Sequence, residues 1–328
     1  MTSFEKLPSV FGEKNSCEKY PGRYTGRPFS IETAHIDSKG LIPYRFTRRK
    51  SWIYGSFMGD SFIVSMAIVD AGYISTAFIY FYSMDTGKFH EEKAVLPFGF
   101  ASDFSPSLYT DWKLTAAPKQ WLISPTKKGL FFCYEGVRLF ANFTINFEQE
   151  GLNTIAPVRG GLFNYTYKNV ALSSEGQFVF DGNRYMAKNK NAAIDFTLGY
   201  PPSHTFWNWA CLSGETDNGM LLGINLVGDF NNGLENCLWL DSKPIPLGQA
   251  VFSYEKPIDK NKLKLHTEDN ILDITFEPIG ARSENLDLLF IKSQFTQPFG
   301  IFSGTLKQGE TEHFIKGKGV VEEHFAVW

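Results

Sequence analysis

Three acids and two tryptophans in the second half of the chain have the types and spacing to do chemistry. Asp195 sits within Ala193-Ile-Asp-Phe-Thr-Leu198, an apolar setting. A carboxyl group there is either satisfied by hydrogen bonds or held protonated by desolvation, and in the second case it is a general acid at neutral pH. Trp207 and Trp209 are two residues apart, so a strand places them on one face with Thr205. His204, Phe206 and Asn208 then occupy the other face, and either set can meet a ligand. Indole rings fill a core or form an aromatic wall. Facing a carbocation, a desolvated indole is worth about 2 kcal/mol. Glu322 and His324 also share a strand face with Ala326 and Trp328. Such a pair positions a proton donor, or forms a solvated ion pair at a rim. Asn225, between Ile224 and Leu226, can orient a ligand or fix a loop. Glu235-Asn236 follows a turn and reads as a ligand contact or a strand start.

Other chemistries lack their signatures. No G-x-G-x-x-G follows a strand, and neither G-x-x-x-x-G-K-[ST] nor G-x-S-x-G occurs. The six histidines are scattered, without H-E-x-x-H or H-x-H. A metal site would need ligands from distant strands, so neither metal nor cofactor is expected. Lys+Arg 32 against Asp+Glu 35 gives a net charge of -3, which argues against a nucleic-acid binder. The run Arg48-Arg49-Lys50 reads as a solvated strand start, with a lipid phosphate contact as the alternative.

The elements that must hold these residues are strands. Aromatic residues make up 16% of the 328, with Phe 31, and such side chains suit pleated surfaces. From Trp52 onward, short apolar stretches alternate with turn residues about every ten positions. Phe62–Val69 and Tyr73–Tyr82 flank Asp70-Ala-Gly72. Leu263–His266 and Ile271–Phe276 flank Thr-Glu-Asp-Asn. Asp181-Gly-Asn183, Asp217-Asn-Gly219 and Asn232-Gly233 are further turn signals. Val137, Leu139, Ala141, Phe143, Ile145 and Phe147 alternate with mostly polar residues, the mark of a half-buried strand. No long amphipathic helix is visible; short ones are expected near Thr110–Trp112 or in the N-terminal arm. The predicted class is all-β: two antiparallel β-barrels, 46–155 and 156–328, behind an irregular arm over 1–45. The boundary is placed at Glu148–Arg159, where Gly151 and Pro157 weaken the strand pattern.

Cys17, Cys133, Cys211 and Cys237 form no C-x-x-C pair and read as reduced thiols. With no apolar leader and no apolar run of about 18 residues, a cytoplasmic protein without a membrane-spanning segment is expected. The sequons at Asn142 and Asn164 are then chance matches.

A series of blocks runs through the second half: Ala193–Tyr200, His204-Thr-Phe-Trp-Asn-Trp-Ala210, Gly223-Ile-Asn-Leu226, Glu235-Asn236, Gln297-Pro-Phe-Gly-Ile-Phe-Ser-Gly304 and Gly319-Val-Val-Glu-Glu-His-Phe-Ala-Val-Trp328. With Trp52, Ala67–Tyr73 and Phe78-Ile-Tyr80, this order resembles the bacterial family known as domain of unknown function 2804. The family pattern has Arg where His204 and Asn208 stand. That family is similar to paired lipocalin-like barrels that include carotenoid hydratases and tocopherol cyclases. The resemblance implies two calycin-like barrels. It also suggests a lyase (hydratase) or an isomerase/cyclase that protonates a C=C bond of an isoprenoid- or polyene-like substrate. Asp195, Glu322 and His324 are the candidate catalytic groups. Trp207, Trp209, His204, Asn208, Asn225, Glu235 and Asn236 are the candidate ligand contacts. The alternative is a non-catalytic carrier for a lipid or other apolar small molecule.

Overall fold

Leu139–Asn146 alternates buried and half-buried positions along its whole length, as the sequence pattern predicts. In the computed structural model, which describes residues 3–6, 19–97, 102–103, 107–288 and 291–328, that strand is one of thirteen in a first sheet. From one edge the sheet runs Phe89–Pro97, Ile74–Ser83, Phe62–Asp70, Lys50–Met58, Asn183–Gly199, Leu162–Phe180, Leu139–Asn146, Gly129–Glu135, Lys119–Pro125, Trp112–Ala116 and Ser102–Asp103. Gly151–Val158 and Gly22–Gly26 branch from Leu162–Phe180. A second sheet of nine runs Lys243–Pro246, Cys237–Leu240, Leu221–Gly228, His204–Thr216, Thr311–Val327, Ile291–Gln308, Leu272–Leu288, Leu263–Thr267 and Ala250–Ser253. Every pairing among these strands is antiparallel. The first sheet curls into a nearly closed barrel and the second into a half-barrel, so the protein is nearly all-β.

The predicted hairpins are present. Phe62–Asp70 pairs with Ile74–Ser83 through the Asp70-Ala-Gly72 turn. Gly72 has a φ of +85°, and a Cβ there would lie 2.6 Å from the Phe46 carbonyl oxygen. Only glycine fits. Among the described residues the two α-helices, Ala34–Asp37 and Tyr44–Thr47, are short and lie in the N-terminal arm and at its end; Thr110–Trp112 is not helical. The arm is more regular than expected, because Gly22–Gly26 pairs with Gly151–Val158. Arg49 of the basic run is not solvated: it pairs with Asp37 and Asp70 at 2.7 and 3.4 Å. Lys50 is buried, donating to the Ala71 and Thr47 carbonyls.

The break between sheets falls at residues 200–203, not at 155/156. Leu162–Phe180 and Asn183–Gly199 belong to the first sheet, where Asn183–Gly199 pairs with Lys50–Met58. Pro157 weakens the pattern without ending the sheet. It is exposed and lies beyond Ile155, the last residue paired with Gly22–Gly26, so its missing N–H removes no bond on that side.

Each sheet encloses its own core. The barrel interior is filled by aromatics such as Trp112, Trp121, Phe132, Phe143 and Phe178. The half-barrel interior is mainly aliphatic, including Leu212, Ile224, Leu265 and Ile274. A third cluster joins the sheets through Tyr54, Tyr80, Trp209, Trp239 and Phe299. Strands at this junction are buried on both faces, so Lys50–Met58 and Phe62–Asp70 are buried at all but one position each. Cys133, Cys211 and Cys237 are free thiols; Cys17 lies outside the described residues. No helix among the described residues is long and apolar enough to cross a membrane.

Glu92, on the edge strand Phe89–Pro97, links that edge to the far side of the barrel. Its carboxylate accepts from the Tyr134 hydroxyl at 2.6 Å and from the Leu139 and Arg138 amides at 3.1 and 3.2 Å. Burial alone would raise its pKa, but these bonds and His90 more than offset that and lower it to about 2. Glu92→Ala is expected to lower unfolding free energy at pH 7 by about 2–3 kcal/mol, measured by denaturant titration. Because the folded pKa is depressed, this stabilisation is complete above the unfolded value of about 4.3 and is lost as pH falls toward 2. A difference between wild type and variant that stays constant down to pH 2.5 would contradict the role.

Candidate active site

Strand register assembles a cavity of about 200 Å³ between the two sheets. On the outer face of the barrel, Lys168, Asp195, Tyr54, Ala67, Phe78 and Lys93 are paired neighbours along one row. Thr166, Thr197, Trp52, Val69, Thr76 and Val95 form the adjacent row. All twelve line the cavity. The facing half-barrel supplies Glu284, Phe295, His324 and Trp207 as one row. Beside it lie Arg282, Gln297, Glu322, Trp209 and Val227. The spacing of two residues within each strand thus becomes a two-dimensional patch.

Aromatic contacts close the space from both sides. Trp52 stacks with Trp207 at 6.2 Å and 14°, and Tyr54 meets Trp209 edge-on at 5.5 Å, each pair bridging the sheets. Phe230 lies 5.6 Å from Trp207. Arg282 is sandwiched between Phe78 and Phe295, with its guanidinium 3.9 and 4.8 Å from their centroids. It is paired with Glu91 and Glu284 at 2.7 and 2.6 Å.

One end of the cavity holds a buried charge cluster. The Lys168 ammonium is 2.5 Å from Asp195 Oδ2 and 3.1 Å from Glu235 Oε2. It also lies 5.7 Å from the Trp209 ring. Two carboxylates share one ammonium, so the cluster has an affinity for a proton. Burial raises Asp195 to about 6, against the pull of Lys168 and with further push from Glu235 and Glu322. Burial would lower the Lys168 ammonium, but Asp195 and Glu235 outweigh it and hold the lysine charged. Asp195 Oδ1 has no hydrogen-bond partner, and neither has Thr197 Oγ1 two residues along the same face. Glu235 reaches the lysine from a loop in which Asp229, Asn231 and Asn232 adopt positive φ. Asn231 Nδ2 donates to Glu235 Oε1 at 2.5 Å.

The second polar group belongs to the terminal strand. Glu322 accepts from Trp207 Nε1 and Gln297 Nε2, both at 2.9 Å. Gln297 Oε1 accepts from the Tyr80 hydroxyl at 3.1 Å; that hydroxyl accepts from Ser65, which accepts from Tyr54. The His324 ring lies 4.3 Å from Trp207. Its Nδ1 is 3.6 Å from Glu322 Oε1, and its Nε2 is 2.9 Å from Ser293 Oγ.

Of the residues singled out from sequence, Asp195, Trp207, Trp209, Glu235, Glu322 and His324 line this one cavity. The tryptophan face of 204–209 is the lining face. The cavity lies outside both barrels, between them, because the barrel interiors are filled. His204 is exposed beside Ser203. Asn208 points to the half-barrel side, where it meets Tyr254 at 3.0 Å. Asn225 acts behind the wall: it accepts from Trp209 Nε1 and donates to the Glu235 carbonyl, both at 2.9 Å. Asn236 fixes the loop through the Val227 amide and the Gly248 carbonyl. Among the described residues no group of three His, Cys, Asp or Glu is arranged to hold a metal ion.

Lys168, Ser293 and Tyr54 escaped the sequence reading, and Trp52 and Gln297 entered it only through the family resemblance, not as site residues. For Lys168 a signal existed. Equal steps back from the Asp181-Gly182 turn bring Lys168 opposite Asp195. Arg159 and Arg184, the arginines nearest to Asp195 in sequence, are both exposed.

No curated protein matches the sequence. The fold is similar to that of kievitone hydratase from Nectria haematococca, with a TM-score of 0.55 and 12% identity over 88% of this chain and 90% of that one. It is similar to CghA with Sch210972, with a TM-score of 0.52 and 10% identity over 86% and 88%. It is also similar to an AttH protein from Nitrosomonas europaea, with a TM-score of 0.53 and 13% identity over 84% and 92%. At these identities the likeness concerns the fold. Sequence similarity over residues 29–328 is specific enough to name the family: the chain belongs to domain of unknown function 2804.

Proposed function

We propose that the protein is an enzyme that protonates a carbon–carbon double bond of an apolar, isoprenoid- or polyene-like molecule. Hydration, cyclisation or isomerisation follows from how the cation is quenched. The observation that carries this reading is Asp195, a cavity-lining carboxyl raised to about 6 with one oxygen unpartnered, beside the indole walls. Asp195 gives its proton to an alkene carbon. The cation then faces Trp207 and Trp209, whose rings attract it. In a hydration, water attacks the cation and its released proton passes to the Glu322–His324 pair or back to Asp195. Kievitone hydratase, by its name a hydratase, has a similar fold. At about 200 Å³ the cavity is below the roughly 300–1,000 Å³ of common ligand sites, so it suits a small terpenoid or the end of a longer chain.

The test is incubation with geraniol, farnesol and their polyene analogues in D₂O, read by mass spectrometry. An acid-catalysed reaction leaves carbon-bound deuterium in the product. Quenching of tryptophan fluorescence by the same molecules, with no deuterium gained, would instead establish the carrier reading.

A further inference from the structure

Ser293, His324 and Glu322 stand in the order of a hydrolytic relay. We propose that they form a second reactive centre on the same cavity, one that transfers acyl groups from esters of apolar acids through Ser293.

The strands supply the arrangement. Glu322 and His324 project from one face of Thr311–Val327. Ser293 lies on the neighbouring strand, opposite Ala326 and diagonal to His324. Ser293 Oγ is 2.9 Å from His324 Nε2, while the other ring nitrogen faces Glu322 Oε1 at 3.6 Å. A carboxylate on the Nδ1 side favours the tautomer that carries its hydrogen there. That leaves the Nε2 lone pair to accept the serine proton. The longer contact is of a kind that tightens when a substrate binds.

Two features hold the imidazole in this pose. Trp207 lies 4.3 Å from one side of the ring, and Phe295 approaches edge-on at 5.3 Å. Glu322 is itself fixed by Trp207 Nε1 and Gln297 Nε2. All three residues line the cavity, so an apolar ester there reaches the hydroxyl. The serine stands within a strand and not on a nucleophile elbow, which is why no G-x-S-x-G marks it.

The chemistry balances without a cofactor. Oγ attacks the ester carbonyl carbon as its proton moves to Nε2. The tetrahedral adduct collapses with cleavage of the bond to the alkoxy oxygen, which leaves as the alcohol with the proton from Nε2. Water then repeats the sequence at the acyl-serine, releasing the acid and restoring Ser293.

An alkyl fluorophosphonate and p-nitrophenyl butyrate test this without any alkene, so failure here leaves the alkene chemistry of Asp195 standing. The full chain is expected to take one phosphonyl group, located on Ser293 by peptide mass spectrometry. His324→Gln should slow that labelling at least 100-fold with Ser293 intact. Ser293→Ala should lose labelling and at least 100-fold of ester turnover. An unlabelled wild type, labelling at another residue, or labelling indifferent to His324→Gln would overturn the proposal.

Discussion

Asp195→Asn is expected to lower turnover of an alkene substrate about 10³-fold, within the range that general acids contribute. The variant keeps a side chain that accepts from Lys168 and keeps the 3.1 Å Lys168–Glu235 pair, so the cavity survives. The pH profile separates the acid role from a packing role. The protonated carboxyl is the active form and its pKa is raised to about 6, so wild-type kcat/KM should fall about tenfold per pH unit above 6. The residual rate of the variant should lack that limb. Stability should move the opposite way. A folded pKa above the unfolded value of about 3.9 stabilises fully below pH 4, and that contribution is lost as pH rises through 6. Relative to wild type, the asparagine variant should therefore gain stability between pH 4 and 7, by up to about 2–3 kcal/mol. If Asp195 served only as a structural hydrogen-bonding group, the variant would be less stable at every pH and the rate profile would keep its shape.

Sequence legibility tracked burial. Leu139–Asn146 shows its alternation because one face is buried and the other is not. The strand segments that build the site, Lys50–Met58 and residues 192–199 among them, lie between the barrel core and the second sheet. Both of their faces are covered, and their pattern loses its period. That is why Trp52 and Tyr54 pass unnoticed as cavity walls, while the isolated Asp195 stands out from apolar neighbours. The boundary between sheets was hidden for a related reason. Leu162–Phe180 and Asn183–Gly199 form a long hairpin that belongs to the barrel but shares a face with the half-barrel, so composition does not change at the true break. Glu322 and His324 were visible by their spacing alone. Ser293 was not, since a serine in a strand is ordinary until register sets it beside an imidazole.

Lys168→Met is expected to be more destabilising than any substitution on the aromatic rim, by about 3–5 kcal/mol at pH 8. Methionine fills most of the volume but leaves Asp195 and Glu235 buried without their ammonium. Those charges cannot be discarded at high pH, and the desolvation cost falls on the folded state alone. Protonation relieves it. With Lys168 gone, the force that pulls Asp195 down is absent and its folded pKa rises beyond the present value of about 6. A folded pKa raised above the unfolded one means that stability is retained below about pH 4 and lost as pH climbs through the new value. The deficit relative to wild type should accordingly shrink at pH 5 and grow to its full size by pH 8 in denaturant titrations. The same shift predicts an altered rate profile: the limb above pH 6 should move up by at least one unit, because a less acidic Asp195 keeps its proton longer. Lys168→Arg, which keeps the charge, should restore most of the stability at pH 8. Equal deficits at pH 5 and pH 8 would assign Lys168 a packing role through its stem and remove the electrostatic basis for a proton held at Asp195.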